Sequence, residues 1–192
     1  MNIPCDFCWI TPDDQGSPVQ NPPLQNDRQQ KQQFRDIKKL YQVYMPWAKP
    51  KSREKLAFAR LAPRYKVNQV HNINTGENET SAQSECNEEL VIAVVRIRPI
   101  GEFELVTGML VHPEYRGQGI GDKLLELISP ELTPGKSFLY ALPHLENYYS
   151  RAGFQLQAIG TVPNDIGQLY LKYSSQKPLV LMGWKGQLTT PE

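Results

Sequence analysis

The segment from Val111 to Ile128, VHPEYRGQGIGDKLLELI, holds the residues best suited to chemistry. Gly117, Gly119 and Gly121 alternate behind Arg116, and an amphipathic run begins at once. Glycine at a helix start costs backbone entropy and gives up side-chain contacts, so it belongs where the main chain must come close to something. The first N–H groups of a helix have no intrahelical partner and sit at the positive end of the helix dipole. A strand that ends in such a turn and feeds a helix is an anion site, and the glycines let a diphosphate lie against the main chain. Two common phosphate motifs are excluded. GxxxxGK[ST] is absent, and the three glycines give GxGxG followed by Asp122 where GxGxxG would need a sixth position.

Other reactive groups are sparser. Cys5 and Cys8 have the spacing of half a zinc site, but no second CxxC or HxxxH completes it, so no metal is expected. Between Arg28 and Lys66 there are twelve Lys or Arg against two acids, Asp36 and Glu54. Such a span can attract an anionic partner or be a solvated face. Its aromatics Phe34, Tyr41, Tyr44 and Trp47 fall largely on an apolar helical stripe, which favours core packing over base stacking and argues against nucleic acid.

Positioning these residues requires a mixed chain of helices and strands. CDFCWI reads as a short first strand, and the Pro-, Gln- and Asn-rich stretch at about 12–30 as a polar, mobile loop. From about Asp27, Phe34, Ile37, Leu40, Tyr41 and Tyr44 recur at helical spacing up to Pro46. Ser52 is placed to cap a second helix carrying Leu56, Ala59 and Arg60 and stopping before Pro63. RYKVNQVHNI is strand-like, and the polar run 74–89 reads as a long hairpin connection. ELVIAVVRIRP and EFELVTGMLV are strands, and the glycine stretch then feeds a helix stopped by Pro130. SFLYALP, FQLQAI and PLVLMGW are further strands. HLENYYSRAG is a short helix, and Ile166, Leu169, Tyr170 and Tyr173 make PNDIGQLYLKY another. The order is that of a mixed α/β fold.

Size and composition fit one ordinary globular domain over 1–192, with 40% hydrophobic and 21% charged residues and a net charge of +1. No apolar run approaches the ~20 residues needed to cross a bilayer. The N-terminus shows no basic and apolar signal segment, and three cysteines make no disulfide framework. A cytoplasmic protein without a membrane partner is expected, monomeric or homodimeric.

VHPEYRGQGIGDKLL resembles the acyl-CoA-binding motif of the GNAT (Gcn5-related N-acetyltransferase) superfamily, [RQ]-x-x-G-x-[GA], and YYSRAGF matches that family's Y-x-x-x-G-F through Tyr149, Gly153 and Phe154. The resemblance covers about Glu89 to Phe154. It implies a mostly antiparallel, bent mixed sheet flanked by helices. It implies that acetyl-CoA is the cosubstrate, with its diphosphate held by the turn Arg116, Gly117, Gln118, Gly119, Ile120, Gly121 and Asp122. Main-chain groups of Met109, Leu110 and Val111 would pair with the pantetheine arm in a gap beside SFLYALP. Tyr149 would protonate the departing thiolate, and Glu104 is nearest to the position of a carboxylate base, with Glu102 on the same face. His144 and Glu146 are further candidates for the base. The Asn that many members place seven residues before the tyrosine is Leu142 here. The reaction implied is direct attack by a primary amine, for which no covalent enzyme nucleophile is needed. An acceptor that also carries negative charge would suit the basic span. Two other classes compete: a non-catalytic acyl-CoA sensor, and a nucleic-acid or ribosome-associated module.

Overall fold

The computed structural model describes residues 3–11, 27–61 and 90–186. Within them the chain runs β1 (Cys5–Ile10), α1 (Asp27–Tyr44), β2 (Lys55–Leu61), β3 (Val91–Ile100), β4 (Phe103–Val111), α2 (Ile120–Ile128), β5 (Ser137–Ala141), α3 (Glu146–Arg151), β6 (Phe154–Leu156), α4 (Asn164–Ser174) and β7 (Val180–Trp184). The strand expected at 64–73, the connection at 74–89, Cys86 and most of the polar loop lie outside the described residues.

The seven strands form one sheet in the order β1-β2-β3-β4-β5-β7-β6. Every neighbouring pair is antiparallel except β4 with β5. This is the mixed, mostly antiparallel sheet that the sequence implies, with helices on both faces. Leu124, Leu125 and Ile128 of α2 and Tyr149 of α3 pack on one face with Ala93, Val95, Val106 and Leu139. Ile37, Leu40 and Tyr41 of α1 pack on the other face with Phe58, Val94 and Leu110. Ile166 of α4 joins that second face over Leu105, Phe138 and Leu181.

One element is corrected. The expected second helix is strand β2, paired with β1 on one side and β3 on the other. Leu56 and Phe58 point toward α1, while Ala57, Ala59 and Leu61 point toward α2. A strand buried on both faces has no polar side to reveal its period of two, so Leu56, Ala59 and Arg60 imitate a helical stripe. The described part of the basic span, 28–61, is thus one helix, a connection and a strand. Part of its charge is locally matched: Lys55 pairs with Glu131 at 2.9 Å, Arg60 with Asp6 at 3.7 Å and Lys39 with Asp36 at 3.1 Å. Cys5 packs with the α2 face and Cys8 with the α1 face, so the CxxC pair does not converge on one ion.

Candidate functional site

The parallel pair β4–β5 positions the site. Its ladder joins Glu104 to Ser137, Leu105 to Phe138 and Val106 to Leu139, and stops there. Yet β4 continues to Val111 and β5 to Ala141, which leaves a gap between Thr107–Val111 and Tyr140–Ala141. The His112 N–H donates to the Ile92 carbonyl at 2.7 Å, and Leu110 is the register partner of Val94. In an antiparallel pair the main-chain groups alternate between the two edges. Those of Leu110 therefore face β3, and those of Met109 and Val111 face the gap. Of the three residues that the sequence assigns to the pantetheine arm, Met109 and Val111 turn main-chain groups toward the gap, the Val111 carbonyl already accepting from Arg116 Nε, and Leu110 does not.

A bulge accompanies the gap. The β3–β4 register shifts between Val94 and Arg96, and Gly108 adopts φ +63°. The Tyr41 hydroxyl donates to the Gly108 carbonyl. A Cβ on Gly108 would stand 2.6 Å from the Arg96 Nε and 2.8 Å from the Tyr41 oxygen. Arg96 is held in turn by buried Glu54, at 3.0 Å, and its guanidinium lies over the Tyr41 ring. This polar cluster ties the α1–β2 connection to the bulge. Gly108→Ala combines a strained φ with overpacking and is expected to destabilise the fold by about 1–3 kcal/mol. An unchanged midpoint in urea denaturation would show that the bulge yields freely.

The glycine turn follows β4. Pro113–Tyr115 form one 3-10 turn, and Arg116 folds back so that its Nε donates to the Val111 carbonyl at 3.0 Å. Gly117 and Gly119 have φ of +73° and +72°, and Gly119 is the N-cap of α2. A Cβ on either would meet no atom within 4 Å, so open space lies against the main chain where the N–H groups of α2 emerge. Gly121 answers to a different need. A Cβ there would stand 2.6 Å from the Tyr148 hydroxyl. Burial, followed by the charge of Asp122 in the same turn, pushes the pKa of that hydroxyl up. Tyr148 was not among the residues expected at the site. Its placement follows from α3 lying beside α2, which the sequence order alone does not give.

Tyr149, the next residue, is buried on the same face. Its ring meets Tyr148 edge-on at 5.1 Å and Phe154 at 6.1 Å. Burial pushes its phenol up to about 12. Gly153 of the same motif has no room for a side chain, because a Cβ would collide with the Gly186 carbonyl.

Glu104 stands apart from this group. It lies in the closed part of the β4–β5 ladder, where its carboxylate accepts from Ser137 Oγ at 3.1 Å. Five residues of strand, roughly 16 Å, separate it from Met109. Glu102 is exposed at the β3–β4 turn. His144 and Glu146 lie just after β5, at the end where the gap opens. No group of three or more metal-ligating side chains converges among the described residues.

Residues 82–156 match the acetyltransferase (GNAT) domain family. In three dimensions the chain is similar to an acyl-CoA N-acyltransferase from Pseudomonas aeruginosa, at 15% identity and a TM-score of 0.51, over 94% of this chain and 99% of that one. It is similar also to Escherichia coli ElaA, at 12% identity and a TM-score of 0.50, over 94% and 99%. At such identities the likeness is one of fold. No curated protein matches it in sequence.

Proposed function

The chain belongs to the GNAT superfamily, and we propose that it is an N-acyltransferase using acetyl-CoA and a primary amine. The observation that carries this reading is the β4–β5 gap, with main-chain groups of Met109 and Val111 turned toward it and the open glycine turn following β4 directly. These features fit an acyl-CoA. The outward N–H groups of the turn from Gly117 to Asp122 would hold the diphosphate, with Arg116 beside them. Met109, and Val111 through its N–H, would pair with the pantetheine amides as a strand edge does. When bound, acetyl-CoA supplies an activated acyl group.

The chain's own task is to bring the amine to the thioester carbonyl carbon, where a C–N bond forms and the C–S bond breaks. The ammonium proton must leave and the departing thiolate must gain one. Tyr149 serves the sulfur. With its hydroxyl held near 12 and an ordinary thiol near 8.5, it keeps its own proton and donates a hydrogen bond to the charge developing on sulfur, with solvent completing the protonation. The position of Glu104 in the closed ladder argues for a base elsewhere. His144, exposed at the end of β5 nearest the gap, takes that place in our reading.

The decisive experiment measures free thiol released from acetyl-CoA over a panel of primary amines, with acetyl-CoA binding followed separately by calorimetry. Amine-dependent thiol release is expected. Binding without release from any amine would leave the sensor reading, and absence of binding would overturn both.

A further inference from the structure

On the sheet face carrying α1 and α4, the floor beside the gap is made by alternate residues of β3 and β4. Arg96 and Arg98 both point to this face, Arg96 toward Tyr41 of α1 and Arg98 toward Tyr173 of α4. Their electrostatic situations differ. Arg96 is neutralised by Glu54. Arg98 has no carboxylate partner among the described residues. Its Nη1 donates to the Tyr173 hydroxyl at 3.3 Å, and its Nε is buried without a hydrogen-bond partner. Asp165, an acid in the first turn of α4, lies instead against the β3–β4 turn, 3.5 Å from where a Gly101 Cβ would stand. A half-buried guanidinium with an unused donor is costly unless something anionic completes it. It is also a rigid fork suited to a carboxylate.

Among the described residues, α2 and α3 pack on the opposite face of the sheet, which leaves the side of Arg98 for the approach of an amine. The floor is accessible there, since Thr107, Gly108, Tyr140 and Arg98 are all partly exposed. Arg98 is the register partner of Leu105, one residue before the ladder to β5 ends. From Leu105 to the Gly108 bulge is about 10 Å of strand.

We propose that Arg98, with Tyr173 beside it, binds a carboxylate carried by the acceptor, and that the acceptor is an amine with an anionic group up to about 10 Å from its nitrogen. This rests on the acyltransferase reading above for the place of the reacting nitrogen. It shifts the preference for an anionic acceptor from the basic span 28–66 to one cation outside it.

The test compares ω-amino acids of three to six carbons with n-alkylamines of the same length. Binding to CoA-saturated protein is read by calorimetry, and turnover with acetyl-CoA by thiol release. The wild-type protein should favour the ω-amino acids by about 10- to 100-fold, the range expected of a charge-assisted hydrogen bond. Longer members should exceed the shortest. Arg98→Gln should erase that preference and leave the alkylamines within about twofold, as expected where a contact is lost only to one series. Tyr173→Phe should erase part of it. CoA affinity serves as the check on folding. If Arg98→Gln fails that check, the wild-type preference must instead shrink as salt screens the pair. A wild-type protein with no preference, or one whose preference survives Arg98→Gln, overturns the proposal. Thiol release that is equal for both series would sink this inference alone. Preferential binding lost in Arg98→Gln but without thiol release would sustain the carboxylate site and sink the transferase.

Discussion

Gly119→Asp should weaken acetyl-CoA binding by about 100-fold or more while leaving the protein folded. The position isolates ligand from fold. Gly119 is the N-cap of α2, and an added Cβ meets nothing within 4 Å. Aspartate is a favoured N-cap residue and is among the side chains that tolerate a positive φ. The φ of +72° costs something, yet no neighbour has to move. What changes is the space in front of the helix N-terminus, which then holds a carboxylate where the diphosphate would lie. Two like charges about 4 Å apart near a protein surface repel by on the order of 4 kcal/mol, and solvent exposure reduces that toward the 2.7 kcal/mol that corresponds to a 100-fold loss. Gly121→Asp is the poorer experiment, because its Cβ would press on the Tyr148 hydroxyl and disturb the protein before any ligand arrives. Calorimetry giving wild-type affinity for a folded Gly119→Asp would remove the glycine turn from the site.

The legible parts of this chain were those where one local rule decides. The two long strands from Val91 and Phe103, the helix after the glycines and the final strand all stand where β-branched runs, glycines and prolines put them. Even α4, rich in residues that favour strands, followed its spacing at Ile166, Leu169 and Tyr170, because only one of its faces is covered. β2 was misread for the opposite reason: both faces are buried, and alanines at alternate positions fit either period. The glycine motif was legible as the turn between β4 and a helix, but its three glycines looked equivalent. Two need a left-handed backbone, and the third makes room for a tyrosine 27 residues away in sequence. Glu104 shows what distance from a motif leaves open. Its strand is the expected one, but where a strand closes and where it splays is set by its neighbour, and β5 releases β4 only after Val106. Arg98 was invisible for the same reason, since what marks it is the absence of a carboxylate partner in space among the described residues.

Adjacent tyrosines give the second large effect. Tyr149→Phe should lower kcat by about 10²- to 10⁴-fold, the usual contribution of a positioned acid–base group, with acetyl-CoA affinity nearly unchanged. The substitution keeps the ring, and so keeps the edge-on contacts with Tyr148 and Phe154 that hold α3 against β6. Only the hydroxyl is lost. That hydroxyl is neutral at every pH where the protein is assayed, because burial raises its pKa to about 12. Its proton is lost only as pH rises toward that value, so wild-type turnover should rise with amine deprotonation and should not fall between pH 7 and 10. Tyr148→Phe should do the reverse. It takes away the hydroxyl near the Asp122 carboxylate, at the turn where the diphosphate would lie, so CoA affinity should fall by about tenfold, the scale of one polar contact to a charged group, while kcat at saturation holds. The pair thus separates binding from chemistry within two residues of one helix. A kcat loss under about threefold in Tyr149→Phe would mean that water serves the sulfur and that the phenol is packing. An alkaline fall in wild-type turnover that begins below pH 10 and disappears in Tyr149→Phe would mean instead that the phenol ionises there, and would overturn its role as a neutral donor.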